Sequence, residues 1–447
     1  MLKQLKGKEA LLGARYGVRR ALFARRFALR SPHPKKSKRR ANNARRTPYR
    51  ALGMLESAAM QTFDVAIVGA GVMGSAAACE LAREGASVAL IDQSALPNPR
   101  AASIDHSKVF RFAYPDRLYV RLAVDSLTRW RELESEIERR LLTHTGALLL
   151  GKRRPSFETR CYQALRTEGV EAEMLANHEV SARFPQFNSG AFEYGVYDPS
   201  GAILHAETAI RALIDLARRR GVKIIEGERV VAVERGAAPC VSIATESGKK
   251  IKCERAMIAA GPWSRKLLPF LADKLETTRQ EIVYFEPVGA ATSAGEPDSR
   301  PGFEPGRFPI FLELESGFYG FPIHYGGAMK IANHHKGAEA DPSSADDHVG
   351  ERFIESCRDF FAEFIPGLVD ARVCEARVCI YNNTPDDDFI IDWHPELDGV
   401  LVVTGFSGHG FKFGPTIGRI AADLLLAGST SHHIDRFRLA RFNNEQR

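Results

Sequence analysis

Residues 63–92 read FDVAIVGAGVMGSAAACELAREGASVALID. Phe63 to Gly69 is an apolar run of strand length, GAGVMG closes a tight turn, and SAAACELAREG has the small-residue face and terminal glycine of a helix ending near Gly85. SVALID then gives a second strand ending at Asp92. Gly69, Gly71 and Gly74 form GxGxxG, with the acid eighteen positions after the last glycine. In this setting the first glycine makes the turn, the second lets backbone approach a pyrophosphate at the helix N-terminus, and the third lets helix and strand pack closely. Asp92 is the acceptor for a ribose. The stretch reads as a dinucleotide site with Gly69, Ala70, Gly71, Val72, Met73, Gly74 and Asp92 as its contacts. The plain alternative is a glycine-rich turn without a ligand.

The rest of the chain narrows the class. At 447 residues and 44% apolar content it can bury a large core, and its length suggests two or three domains. It contains no run of eighteen uncharged apolar residues, so no membrane span is expected. The seven cysteines are odd in number and scattered without metal-finger spacing, which points to a reducing compartment and to neither a disulfide frame nor a metal site. The net charge of +7 is misleading, because residues 1–60 hold 17 of the 62 Lys and Arg but only Glu9 and Glu56 of the 55 acids. The remainder carries 45 basic against 53 acidic residues. The basic head, residues 1–59, reads as a disordered extension or upstream sequence ahead of Met60; a transit peptide and a nucleic-acid tail are the other readings.

Beyond Asp92 the chain leaves the first motif and returns to the same kind of pattern. VKIIEGERVVAVERG (Val222 to Gly236) reads as paired strands, and VSIATESGKKIKCERAMIAAG (Val241 to Gly261) as a hairpin followed by a buried strand. Val230 and Gly261 are the cofactor contacts expected from these segments. GVLVVTGF (Gly399 to Phe406) is a further parallel-type strand. It runs into GFSGHGFKFGP (Gly405 to Pro415) and a helix from Pro415 to about Ala427, with Pro415 suited to the first turn and Gly428 to the stop. A binding domain assembled from both ends of the chain is a flavoprotein habit, and glycines at this density let a loop pass close to a flat isoalloxazine ring. The fold class is therefore α/β. It comprises a Rossmann-type FAD-binding domain in three parts (60–142, 188–275 and 384–447) and a second, mainly antiparallel-sheet substrate domain in two (143–187 and 276–383). Phe318, Tyr319, Phe321 and Tyr325 alternate as in a strand of that second domain, where they read as core more than cavity lining, and His334 and His335 lack the spacing of a metal site.

The stretch from Val378 to Leu425, with its CxYxxTPDxDFIID and GFSGHGFKF blocks, resembles the C-terminal region of the monomeric sarcosine oxidase and N-methyltryptophan oxidase family. The resemblance runs with gaps from about Phe63 to Phe442. It implies an FAD enzyme that oxidises the C–N bond of a secondary amino acid, passes the electrons to oxygen and releases hydrogen peroxide. The expected protein is a cytoplasmic monomer without nucleic-acid or membrane partners, unless the basic head directs import.

Carried over residue by residue, the family pattern makes Cys379 the thioether link to the flavin, with Cys374 as a decoy. Tyr381 lines the substrate cavity, and Lys412 and Arg111 hold the substrate carboxylate. SIDHSKVFRFAYPD places Lys108 and Ser107 on the flavin side, and Gly408, His409, Gly410, Phe411 and Lys412 form the flavin loop. Lys108, His409 and Lys412 are the catalytic candidates. Lys108 stands where sarcosine oxidases carry arginine, Ser103 and Ile104 replace a histidine pair, and SxDxxK is closer to the pipecolate and fructosyl-amine branch. The register of TRQEIVYFEP puts Gln280 where relatives place an oxygen-activating lysine, which admits a dehydrogenase using a quinone or carrier as the alternative.

Overall fold

The structure, a computed structural model, describes residues 62–236, 240–288, 302–344 and 346–444. The basic head lies outside the described residues. Strand Thr62–Val68, expected from FDVAIVG, forms the centre of a parallel core: Val88–Ile91 pairs on one side and Lys250–Ile258 on the other. Lys250–Ile258 divides its far edge between two partners. Its first half takes Val241–Thr245 antiparallel and its second half takes Val400–Thr404 parallel. The strand from the end of the chain is thus built into the sheet begun by the first motif.

Lys223–Ile225 and Val230–Arg235 do not pair with each other as expected. Lys223–Ile225 adds to Val88–Ile91, while Val230–Arg235 pairs with Val241–Thr245 at the opposite edge of the sheet. Between them the chain crosses the strand ends, where the Glu228 N–H donates to the Asp92 carbonyl at 2.9 Å. Alternation along a short strand reports which face is buried, and says nothing of which neighbour covers its edge.

The second sheet has eight strands among the described residues. Arg372–Asn383, Glu276–Glu286, Met329–Asn333, Phe318–Gly320 and Ile310–Glu313 follow one another antiparallel, and Ile310–Glu313 then joins Ala147–Gly151 in the one parallel pairing. Tyr194–Asp198 and Glu173–Ala176 complete it, so the sheet takes in a strand beyond the expected boundary at 187. A small third sheet of Lys108–Phe110, Ala202–Leu204 and Leu142–His144 stands apart from both. Helix Glu351–Phe364 covers the second sheet with Cys357, Phe360, Phe361 and Phe364 buried. No helix among the described residues is long and apolar enough to cross a membrane.

Two helices lock the ends of the chain together. Val72–Arg83 starts after the glycine turn, and Gly414–Ala427 starts after the C-terminal glycine loop, ending at Gly428 in the left-handed conformation. They cross so closely that a Cβ at Gly418 would lie 2.7 Å from the Ala76 backbone; separately, one at Gly74 would lie 1.9 Å from the Gly69 carbonyl oxygen of the preceding turn. Neither position has room for a side chain.

Gly418→Ala is therefore expected to force the helices apart and destabilise the protein by roughly 1–3 kcal/mol, the usual cost of overpacking. Urea unfolding with an unchanged midpoint would show that the crossing is looser than this.

Candidate active site

A cleft of about 360 Å³ opens at the carboxyl ends of the parallel strands, where an open α/β sheet binds its ligands. Gly69, Gly71, Val72 and Met73 line it from the first turn, Asp92 from the second strand, and Val230 and Gly261 from the strands beyond. Gly408, Gly410 and Phe411 reach it from the C-terminal loop. Ala70 and Gly74 do not line the cleft. The Ala70 N–H is spent on Asp92 Oδ2 at 2.9 Å, and Gly74 is spent on packing. Asp92 Oδ1 accepts from Ser94 N–H and Asn98 Nδ2, which fixes the carboxylate at the rim, while burial raises its pKa. Ser103 contributes an unexpected contact: its Oγ accepts the Val72 N–H at 3.1 Å, capping the helix at the cleft.

The cleft suits FAD. It begins at a helix N-terminus with a glycine turn, runs on to the C-terminal glycine loop, and holds the buried Asn382 Oδ1 without a partner on its wall. Cys379 is buried just behind this wall, its Sγ 3.8 Å from Lys108 Nζ and 3.7 Å from the carbonyl of Ala102, and both of those residues line the cleft. Cys374 lies towards the other end of the same strand, exposed, with its Sγ 3.8 Å from Glu286.

A smaller cavity of about 60 Å³ adjoins the cleft and shares Lys108, Tyr381, Gly408 and Phe411 with it. The close approach of loop and strand depends on Gly408, since a Cβ there would lie 2.0 Å from the Tyr381 ring. Arg111, His409 and Lys412 line this cavity, so the structure brings together the residues expected around a substrate. His334, Tyr319 and Phe321 join them. Of the four alternating aromatics, Phe318 is in the core, Tyr319 and Phe321 face the cavity, and Tyr325 is exposed, stacked on His106 at 3.5 Å between centroids.

None of the residues lining this cavity is acidic. Arg111 is buried, its guanidinium stacked 4.2 Å over the Tyr114 ring and its Nη1 without a partner. Lys412 Nζ donates to the Tyr114 hydroxyl at 2.8 Å and the His409 carbonyl at 2.7 Å, both uncharged acceptors. Burial, and then the Arg111 charge, hold its ammonium well below an ordinary lysine. Burial and Lys412 likewise push His409 well down, and burial with Arg111 brings His334 to about 4. His409 Nε2 meets the Asp387 carbonyl at 3.0 Å and must carry the proton, leaving Nδ1 as the acceptor.

Beside the cavity lies a cluster that the sequence did not single out. The buried Asp105 Oδ2 takes Lys330 Nζ at 2.5 Å and Lys108 Nζ at 3.4 Å, and Oδ1 takes the Tyr284 hydroxyl at 2.8 Å. Burial works against the Asp105 charge, yet the two ammonium groups hold its carboxyl well below the usual range. Burial also opposes the Lys108 charge, but Cys379 and Asp105 keep it above an ordinary lysine. Ser107 turns away from the cleft: its carbonyl accepts from Lys330 at 2.9 Å and its hydroxyl meets His324 Nε2 at 2.8 Å. Gln280 lines neither cavity. Its amide is consumed by the loop at 333–337, donating to the His335 carbonyl at 2.6 Å and accepting from the Gly337 N–H at 2.9 Å. Lys330, buried, lines the smaller cavity, and burial holds its ammonium below an ordinary lysine.

The profile of the family described as FAD dependent oxidoreductase matches residues 64–424. The chain belongs to this family. It is 33% identical over 394 residues to the peroxisomal sarcosine oxidase of Homo sapiens, covering 85% of this chain and 96% of that protein. It is 32% identical over 386 residues to the monomeric sarcosine oxidase of Bacillus sp. (strain B-0618), with the same coverages of 85% and 96%. Among solved structures, an L-proline dehydrogenase from P. horikoshii shares the fold with a TM-score of 0.74 at 20% identity, over 86% of this chain and 99% of that one. The FAD dependent oxidoreductase fold accounts for the parallel sheet, the glycine turn and the antiparallel sheet beside them.

Asp105→Asn leaves Lys330 buried with no carboxylate, so it is expected to cost about 3–5 kcal/mol of stability at neutral pH. Because the folded carboxyl titrates below its unfolded value of 3.8, this contribution is present above pH 3.8 and fades as pH falls further. The gap between wild type and variant in denaturant midpoint should close on acidification below that value. A gap that is constant with pH would contradict the assignment.

Proposed function

We propose that the protein is an FAD-dependent oxidase of a small secondary amino acid, of the sarcosine or N-methyl amino acid kind, with pipecolate and fructosyl amino acids as the neighbouring classes. The observation that carries this reading is a small cavity lined by Arg111 and Lys412, with no acid among its lining residues, adjoining the cofactor cleft. A buried guanidinium and a buried lysine whose charged form is disfavoured, with no acid among the residues lining the cavity, are both relieved when an anion arrives. A substrate carboxylate is that anion, and the unpartnered Arg111 Nη1 is its donor.

Gly71, Val72, Met73, Asp92, Val230 and Gly261 would hold the dinucleotide, and Cys379 would tie it covalently. When bound, FAD supplies the hydride acceptor and the route of electrons to oxygen. The protein's own work is positional. Arg111 and Lys412 clamp the carboxylate, Tyr381 and Phe411 wall the junction of cavity and cleft, and the α C–H is left facing the cleft. His409, kept neutral by burial and by Lys412 and with its Nδ1 facing the Tyr114 hydroxyl, borders the site without adding charge beside the substrate amine. Lys108 and Lys330 set positive charge beside the cleft, where it favours oxygen taking up an electron. Lys330 beside the cavity supports oxygen as the acceptor over a quinone or carrier protein.

A screen of sarcosine, N-methyltryptophan, pipecolate, proline and fructosyl amino acids for peroxide release tests the reading; silence from all of them under oxygen would defeat it. Arg111→Ala should raise KM by the equivalent of about 2–4 kcal/mol while flavin reduction at saturation changes little. An unchanged KM removes Arg111 from the site. Acid-precipitated wild type should give a yellow pellet, and Cys379→Ser should release the colour while Cys374→Ser should not. Colour in the wild-type supernatant means that the flavin is not covalently held.

A further inference from the structure

We propose that Tyr114 is the positioning residue of the carboxylate site, a proposal that rests on the carboxylate reading above. Three of the groups expected to handle the substrate meet on this one buried side chain. Its ring face carries the Arg111 guanidinium at 4.2 Å. Its hydroxyl accepts from Lys412 Nζ at 2.8 Å and lies 3.4 Å from His409 Nδ1. His409 Nδ1 is the acceptor, so the tyrosine proton points to histidine and its lone pairs to lysine. The hydroxyl has one proton to give and lone pairs to offer, which defines one orientation for both neighbours.

The arrangement does what a carboxylate partner would do for position without cancelling charge. An acid at this place would pair with Arg111 and Lys412 and compete with the substrate. A tyrosine holds both cations by its quadrupole and its hydroxyl oxygen, and leaves their charge for the ligand. Tyr114 is in turn fixed from behind. It stacks on Tyr119 at 5.3 Å, and the Tyr119 hydroxyl donates to the buried Asp388 at 2.8 Å. The Lys412 carbonyl, held by Ser126 Oγ at 2.5 Å and Trp130 Nε1 at 2.7 Å, fixes the other end of the contact.

The test is titration of the holoenzyme with acetate and with acetamide, which share a shape and differ in charge, followed by flavin absorbance. Wild type should bind acetate more tightly. Tyr114→Phe keeps the ring under Arg111 and removes the hydroxyl from Lys412 and His409; acetate affinity should fall roughly three- to tenfold with acetamide affinity unchanged. Tyr114→Leu should lose more, because the Arg111 platform goes as well. With the amino acid substrate, Tyr114→Phe should raise KM and spare the rate at saturation. Equal loss for acetate and acetamide, or wild-type preference in both variants, would overturn the proposal. A wild-type protein that does not distinguish the two ligands overturns the carboxylate reading first, and the proposal with it.

Discussion

Everything in the site follows from one constraint: Arg111 and Lys412 are buried around a cavity in which no acid faces them. Taking a charge out of water costs several kcal/mol unless something pairs with it. The fold meets part of that cost with neutral acceptors and an aromatic face, through Tyr114 and the His409 carbonyl, and leaves the rest to be relieved by a ligand. Lys108 and Lys330 are treated differently. They share Asp105, which pairs with both whether or not substrate is present.

Holding such groups in register requires parts of the chain that are far apart in sequence. Arg111 follows the strand Lys108–Phe110 of the small sheet, Lys412 sits at the entrance to helix Gly414–Ala427, and Tyr381 comes from the edge strand of the second sheet. The tight crossing at Gly418 against Ala76 and the insertion of Val400–Thr404 beside Lys250–Ile258 tie these pieces to the first glycine turn. The C-terminal segment is bound by ion pairs as well: Arg436 to Asp388, Arg438 to Asp392 and Arg441 to Asp386. Asp388 is the same carboxylate that orients Tyr119 beneath Tyr114, so the end of the chain bears on the cavity.

The parts legible in the sequence were those whose signal is local. GAGVMG and GFSGHGFKFGP announce themselves because close backbone approach demands glycine at fixed spacing, and the helices after them carry their own start and stop. Lys330 and Tyr319 give no such signal, since they lie on strands where a cavity-facing residue and a core residue look alike, and His334 follows directly after one of them. Asp105 was visible only as one letter of SxDxxK. Its meaning depends on Lys330, more than two hundred residues away, reaching the same oxygen. Ser107 was placed at the cofactor by its neighbourhood, yet its hydroxyl is drawn off by His324. The register at Gln280 says nothing of where its side chain is spent, and its amide is committed to the loop at 333–337.

The account stands or falls on whether an amino acid carboxylate brings an amine to the bound flavin. Anaerobic mixing of the holoenzyme with sarcosine and, separately, with sarcosine methyl ester, followed by flavin absorbance, measures this directly. The account predicts rapid bleaching of the flavin by sarcosine and little or none by the ester at equal concentration. Equal bleaching by both, or by the ester alone, would contradict it.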